Sequence, residues 1–267
     1  MDEAGTRSLF VKKNDRLKFV TNINQEIASK LVLDDLNEDE QVTAVEMSQQ
    51  LLQAKIKRMG ITDETVQLAQ RNLIAMAKSA KKVPNLKHLI ARLAKNKTGY
   101  QFKHSQVLMF VATHLMNQMD WVNDEQRKKL QFIAFFHDIT LSDTEMSKIH
   151  SNDELKKSDF TDEQKEEIKK HAQEGASLAS QYPNAPVGVE QIIKQHHGMA
   201  NGIGFSDHYS QNISPMAIVF ILSEDFVDGL IYGGTNFSVI EKITQMRERY
   251  STQRFKKIID ALEKIAL

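Results

Sequence analysis

Nine histidines and no cysteine bound the chemistry open to this 267-residue chain. Without thiols there is no thiolate zinc site, no disulfide framework and no cysteine nucleophile. What remains is imidazole and carboxylate, a donor set that suits iron, manganese, zinc and similar ions. In chain order the candidates are His104, then His137-Asp138, then His171, then His196-His197, then Asp225. In the adjacent pair His137-Asp138, one residue offers a neutral nitrogen and the next a carboxylate able to bridge two cations. A single buried histidine is ordinary, since a backbone carbonyl satisfies it. A buried carboxylate costs several kcal/mol unless it is paired or metal-bound. Five segments that each bury a histidine or an aspartate are best explained by shared cations in a bundle core.

The elements that must position these residues read as helices. Leu108, Val111 and Leu115 form an apolar stripe that, extended back by four, meets His104. Leu130, Ile133 and Ala134 lead to His137; Ile168, Gly175 and Leu178 bracket His171. Val189, Ile192 and Ile193 lead to His196, and Ile218, Ile221 and Leu222 lead to Asp225. The period predicts helices near 38–58, 63–81, 85–96, 101–119, 124–138, 162–181, 186–197, 214–232, 236–249 and 252–265. Asp63 and Thr161 read as N-caps, the latter with Gln164 in a capping box. Pro84 reads as a first helical residue, and Gly233-Gly234 as a helix stop. Residues 8–20, SLFVKKNDRLKFV, read as a β-hairpin that needs a packing partner. It is either the remnant of a larger upstream domain or an oligomer contact, for which a homodimer is one form. The expected fold is thus all-α, a helical bundle over 81–267 preceded by an accessory region, 1–80.

Other polar residues receive ordinary roles. His114 lies off the His104 stripe and is read as a non-ligand. His88, His150 and His208 are read as surface residues, Asp228 as a partner to a ligand or a cap, and Trp121 as a packing anchor. Met109, Met116 and Met119 are read as core filler.

Composition excludes several classes. Thirty-five basic and 35 acidic side chains leave no net charge, which argues against a binder of nucleic-acid duplexes. No apolar run approaches the roughly 20 residues needed to span a membrane. The start, MDEAGTRSLF, lacks a secretory pattern, so a cytoplasmic protein is expected. The charge is nevertheless patchy: Asp34–Glu40 is acidic and Lys81–His104 basic, and the basic stretch could draw a phosphorylated ligand.

Residues 98–265 resemble the HD-GYP domain, a branch of the HD metal-dependent phosphohydrolases. HSQVLMFVATHL resembles the HSxRV helix, FFHDITL the HDIGK motif, and HAQEGASLA the HPxxGAxLL segment. HHGMANGIGF resembles HHExxDGxGYP, and ILSEDFVDGL the ILxIADVFDAL helix. The resemblance implies two divalent metal ions, iron first, with manganese or zinc as alternatives. It assigns His104, His137 and Asp225 to one metal and His171, His196 and His197 to the other. Asp138 is the bridging and catalytic carboxylate, beside a bridging hydroxide. Gly202 and Gly204 are implied in substrate approach. It also implies a bacterial signalling protein acting on cyclic di-GMP or a related nucleotide, with a GGDEF-type or other signalling domain as partner.

The departures are specific. Leu141 stands at the lysine of HDIGK. Gly204, Phe205 and Ser206 stand at GYP, and Gly198, Met199 and Asn201 replace the acid, arginine and aspartate of the His-pair motif. Val219 replaces an arginine, and Gly234-Thr235-Asn236 replaces an Arg-Pro-Tyr turn. Tyr100 takes the place of the glutamate found in three-metal members, which favours two metals. The metal cage is kept and the usual substrate grip is not. Two expectations follow: a metal-dependent phosphodiesterase with weak or absent turnover of cyclic di-GMP, or a catalytically weak nucleotide- or partner-binding module that signals through residues 1–80.

Overall fold

The computed structural model describes residues 37–81, 85–96, 98–207, 209 and 212–265. The expected hairpin at 8–20, Pro84 and His208 lie outside them. Regular structure among the described residues is entirely helical. The elements are α1 (Glu38–Met59), α2 (Asp63–Lys81), α3 (Leu86–Lys95), α4 (Tyr100–Met116), α5 (Asp124–Phe136), α6 (Asn152–Lys157), α7 (Asp162–Ser180), α8 (Val189–Gln195), α9 (Pro215–Gly233), α10 (Val239–Arg249) and α11 (Gln253–Ile265). Short 3₁₀ turns follow α5 and α9 at Met146–Lys148 and Gly234–Asn236.

Local signals account for many of the boundaries. Asn37, Asn123 and Thr161 close capping boxes with Glu40, Gln126 and Gln164, each satisfying an otherwise orphaned amide. The cap of α2 is Thr62 rather than Asp63: Thr62 Oγ1 accepts from the Thr65 amide at 3.3 Å. Asn85 caps α3, so that helix begins one residue after the expected start. Pro215 opens α9, and Gly234, with φ of 50°, closes it. The short α6 was not expected from periodicity, because six residues carry too little of a 3.6-residue repeat to be recognised.

Helices α4 and α9 pack along each other in the middle of the molecule, with α5 against α4 and α8, and α7 against α8. Residues Met216 to Glu224 of α9 are buried without a break, as expected of a helix apolar all round. One apolar core runs from Val42 on α1 to Leu262 on α11, so the helices before residue 81 share the core of those after it. Burying Phe136, Phe220 or Phe226 contributes about 1.5–3 kcal/mol each. A second, small cluster of Leu141, Met146, Leu155, Ile168 and Phe205 lies under the loops around α6. No helix among the described residues is long and apolar enough to cross a membrane. Trp121, expected as a packing anchor, is 41% exposed.

Candidate metal centre

Five elements deliver side chains to one buried point. His104 projects from the second turn of α4. His137 and His196 are the C-cap residues of α5 and α8, not interior stripe positions, with Asp138 and His197 directly after them. His171 comes from the middle of α7, and Glu224 and Asp228 from α9. Helix carboxyl ends carry partial negative charge, so the ends of α5 and α8 favour a cation where these residues converge.

The approach of α7 depends on one glycine. A Cβ at Gly175 would lie 3.1 Å from the His137 carbonyl oxygen and 3.5 Å from that of Phe136. Glycine lets α7 close on the end of α5, which brings His171 next to Asp138. Thr140 Oγ1 donates to the His171 carbonyl at 3.3 Å, and Gln101 Nε2 to the Asp138 carbonyl at 3.1 Å.

Tautomers follow from the backbone. The Nδ1 atoms of His137, His171 and His196 each face the carbonyl three residues back, of Ala134, Ile168 and Ile193, at 3.2, 2.5 and 2.5 Å. A carbonyl only accepts, so each Nδ1 carries the proton and each neutral Nε2 presents a lone pair inward. Yet His171 Nε2 lies 3.1 Å from His196 Nε2 and 3.0 Å from His197 Nε2. With both rings in this tautomer, the 171–196 pair places lone pair against lone pair, which a cation shared between them would relieve. Two donors each about 2.1 Å from one tetrahedral ion stand about 3.4 Å apart, which is the scale of this packing.

A second set is formed by His104, His137 and Glu224, whose ligand atoms lie within 4.8 Å of one another, as do those of His171, His196 and His197. Glu224 Oε1 is 3.7 Å from His137 Nε2 and 3.9 Å from His104 Nε2, too far for hydrogen bonds. Asp138 lies between the sets: Oδ2 is 3.5 Å from His137 Nε2, and Oδ1 is 3.4 Å from His171 Nε2 and 4.0 Å from His196 Nε2. His137 Nε2, His104 Nε2, Asp138 Oδ2 and Glu224 Oε1 are buried with no hydrogen-bond partner. Such orphaned atoms are costly and uncommon, and their convergence fits bound divalent metal.

The electrostatics agree with this reading. Burial, reinforced by neighbouring imidazoles, drives His196 and His197 well below the usual histidine range. Burial also lowers His171, and takes His137 down to about 4 against the pull of Asp138. His104 is opposite: burial lowers it, but the Asp228 carboxylate, 3.0 Å from Nδ1, outweighs burial and raises it. Asp138 drops to about 2, because His137, His171 and His196 overcome burial. Burial and the charges of Asp228 and Asp138 push Glu224 well up.

Six of the seven expected ligands therefore come together, and one does not. Asp225 turns away and pairs with Lys242 at 3.0 Å and Arg249 at 3.4 Å. The carboxylate of α9 that meets the histidines is Glu224. On a helix buried on almost every side the apolar stripe does not mark the face that looks into the site, and one residue changes direction by about 100°. Asp228, four residues after Glu224, shares its face and binds His104, Tyr100 (3.0 Å) and His150 (3.1 Å). His150, expected on the surface, instead stands with His197 and Glu224 on the outer side of the cluster. The i, i+4 spacing of Glu224 and Asp228, and of Tyr100 and His104, was the signal available for these partners. His114 is no ligand: its Nδ1 donates to the Phe110 carbonyl at 2.8 Å.

The expected substrate glycines have a conformational reason of their own. Gly202 and Gly204 have φ of 75° and 73°, a region L side chains avoid. The Gly202 carbonyl accepts from the Gln173 amide at 3.1 Å, and the Gly204 amide donates to the Lys169 carbonyl at 2.7 Å. Both tie the loop to α7. Phe205 rests on His197, with ring centroids 4.6 Å apart, and Leu141 is buried beneath.

The family model of the HD domain matches residues 102–264. No curated protein matches the chain. Among solved structures, Bd1817, an HDG"Y"P protein from Bdellovibrio bacteriovorus, is similar in fold with a TM-score of 0.59. Sequence identity is 16%, over 96% of this chain and 81% of that one.

Proposed function

The chain belongs to the HD domain family, and from that premise we propose that it is a metal-dependent phosphodiesterase or phosphohydrolase with a dinuclear centre. The observation that carries the reading is the inward convergence of imidazole nitrogens on two buried carboxylates, with His104 Nε2, His137 Nε2, Asp138 Oδ2 and Glu224 Oε1 left without hydrogen-bond partners. His104, His137 and Glu224 would hold one ion, His171, His196 and His197 the other, and Asp138 both. Imidazole and carboxylate suit iron, with manganese or zinc as alternatives. Bound there, two divalent cations lower the pKa of a water and neutralise phosphoryl oxygens.

The chain's own contribution is placement. Backbone carbonyls fix the tautomers of His137, His171 and His196, so their Nε2 atoms need no reorganisation on loading. Phe205 and Leu141 form an apolar floor that keeps bulk water off His197. The substrate we favour is a nucleotide phosphodiester other than cyclic di-GMP, because Leu141, Phe205 and Val219 are buried apolar groups where polar grips would stand. That same observation favours a second reading, a nucleotide-binding module of weak turnover. Elemental analysis of protein purified without chelator, followed by hydrolysis of an activated phosphodiester and of cyclic di-GMP, tests the two. Metal below about one ion per chain removes the hydrolase reading, and full loading without turnover of any phosphodiester selects the binding module.

A further inference from the structure

A row of aromatic rings runs outward from His104, and its outer members, Tyr100 and Tyr232, are not among the proposed metal ligands. Tyr100, the first residue of α4, stacks on His104 with ring centroids 5.7 Å apart. Its hydroxyl donates to Asp228 Oδ1 at 3.0 Å, which fixes the ring. Tyr100 also stacks on Tyr232, again at 5.7 Å and with 29° between the planes. Tyr232 lies one helical turn after Asp228 on α9 and is 55% exposed. Its hydroxyl donates to the Lys148 carbonyl at 3.3 Å, which pins it against the 3₁₀ turn. The Lys148 ammonium stands 5.3 Å over the Tyr100 ring. It reaches Glu145 at 2.6 Å, and its side chain is 31% exposed. The row therefore begins at His104 and ends in an open, immobilised aromatic face with a cation beside it.

We propose that Tyr232 and Lys148 form the recognition ledge for a nucleoside phosphate: Tyr232 stacks the base, and Lys148 takes a phosphate that does not react. This rests on the phosphodiesterase reading above, since it names the substrate class of that site. A planar base gains from stacking on a ring already held in place, whichever base it is. Exposed ion pairs such as Lys148–Glu145 contribute little, so a phosphate can displace Glu145. Neither residue belongs to the metal-binding set, so both can be changed without removing a ligand. Tyr232 is a positioning residue in this role; its expected effect lies in substrate binding.

Two phosphodiesters with the same leaving group isolate the ledge: methyl p-nitrophenyl phosphate and thymidine 5′-(p-nitrophenyl phosphate). The metal-loaded protein is expected to show a KM for the nucleoside ester about tenfold lower. Tyr232→Ala should abolish that advantage by raising KM while kcat stays within about twofold, and Tyr232→Phe should retain it, because the ring and not the hydroxyl stacks. Adding a 3′-phosphate to the nucleoside ester should lower KM further. Lys148→Ala should remove that gain, and Lys148→Arg should keep it. Equal KM values for the two esters in the unmodified protein, or a Tyr232→Ala variant that loses kcat on both alike, would overturn the ledge. If neither ester turns over, the hydrolase reading fails separately, and calorimetric titration with thymidine 3′,5′-bisphosphate decides the ledge. Binding that weakens about tenfold in Tyr232→Ala supports it, and no binding refutes it.

Discussion

Two adjacent acids on α9 separate the geometry of the site from its motif. Glu224 faces His104 and His137, whereas Asp225 faces Lys242 and Arg249. Glu224→Gln should lower bound metal by about half, because an amide is a poor partner for a divalent cation. Asp225→Asn should keep metal and cost at most about 1 kcal/mol, the scale of a partly exposed ion pair. Elemental analysis of the two variants side by side gives the answer, and metal loss in Asp225→Asn alone would reverse the assignment. The imidazoles make a second claim at this scale. His137, His171, His196 and His197 have lowered pKa values in the folded protein. Below pH of about 6.5 an unfolded chain takes up protons that these buried rings refuse. The metal-free protein should therefore lose stability as pH falls from about 6.5 toward 4; His104, raised by Asp228, and Glu224, raised by burial and its acidic neighbours, oppose the trend. Its melting temperature at pH 5 should lie roughly 5–10 °C below that at pH 7. A flat profile in the presence of chelator would mean that the rings are not held neutral.

The helices matter through their ends and their closest approaches. Gly175 allows α7 to meet the carboxyl end of α5. Gly175→Ala should gain a little helix propensity but press a methyl onto the His137 carbonyl. Backbone in a packed core yields poorly, so a loss of about 1–3 kcal/mol is expected, together with weaker metal retention. Denaturant titration and metal content measured on the same sample should move together, and a more stable variant with full metal would show that α7 has room to spare. Thr161→Ala is the contrasting change. It removes a cap at the far end of the same helix and should cost about 1 kcal/mol with metal unaffected. The carboxylate of Glu46 on α1 accepts from the Gly99 amide at 2.7 Å, so the accessory helices also brace the start of α4, where Tyr100 and, one turn on, His104 project.

At the scale of the molecule, the proposed metal would be linked to the fold. The six proposed ligands other than Asp138 lie on α4, α7 and α9 or at the carboxyl ends of α5 and α8, and a cation shared among them would bind only when those helices are assembled. Ligand that binds the native state alone adds about 2.7 kcal/mol at a hundredfold excess over its dissociation constant. For a chain of this size, chelation should lower the melting temperature by roughly 5–10 °C. Differential scanning calorimetry before and after verified metal removal measures it, and an unchanged transition would return the histidines to ordinary core roles. The acidic and basic runs partly answer each other across the fold, with Asp39 on α1 bound to Lys95 on α3 at 2.5 Å. That contact lowers the Asp39 pKa and uses part of the basic stretch that the sequence offered to a phosphorylated ligand.

The sequence by itself determined the helical class, the Thr161 capping box and the glycine stop at Gly233-Gly234, and it pointed to six of the side chains that the fold brings together. These are legible because caps and stripes are local: a side chain three or four residues away decides them. Only the tertiary structure decided between Glu224 and Asp225, since α9 is enclosed on nearly all sides and its pattern carries no direction. His150 was equally hidden. It sits in a short loop without periodicity, and what makes it part of the cluster is the approach of Asp228, His197 and Glu224 from distant segments. The role of Gly202 and Gly204 was likewise invisible, because the Gln173 and Lys169 backbone groups that they meet belong to another helix. Local chemistry is written along the chain, whereas the direction a buried side chain faces depends on which helices surround it.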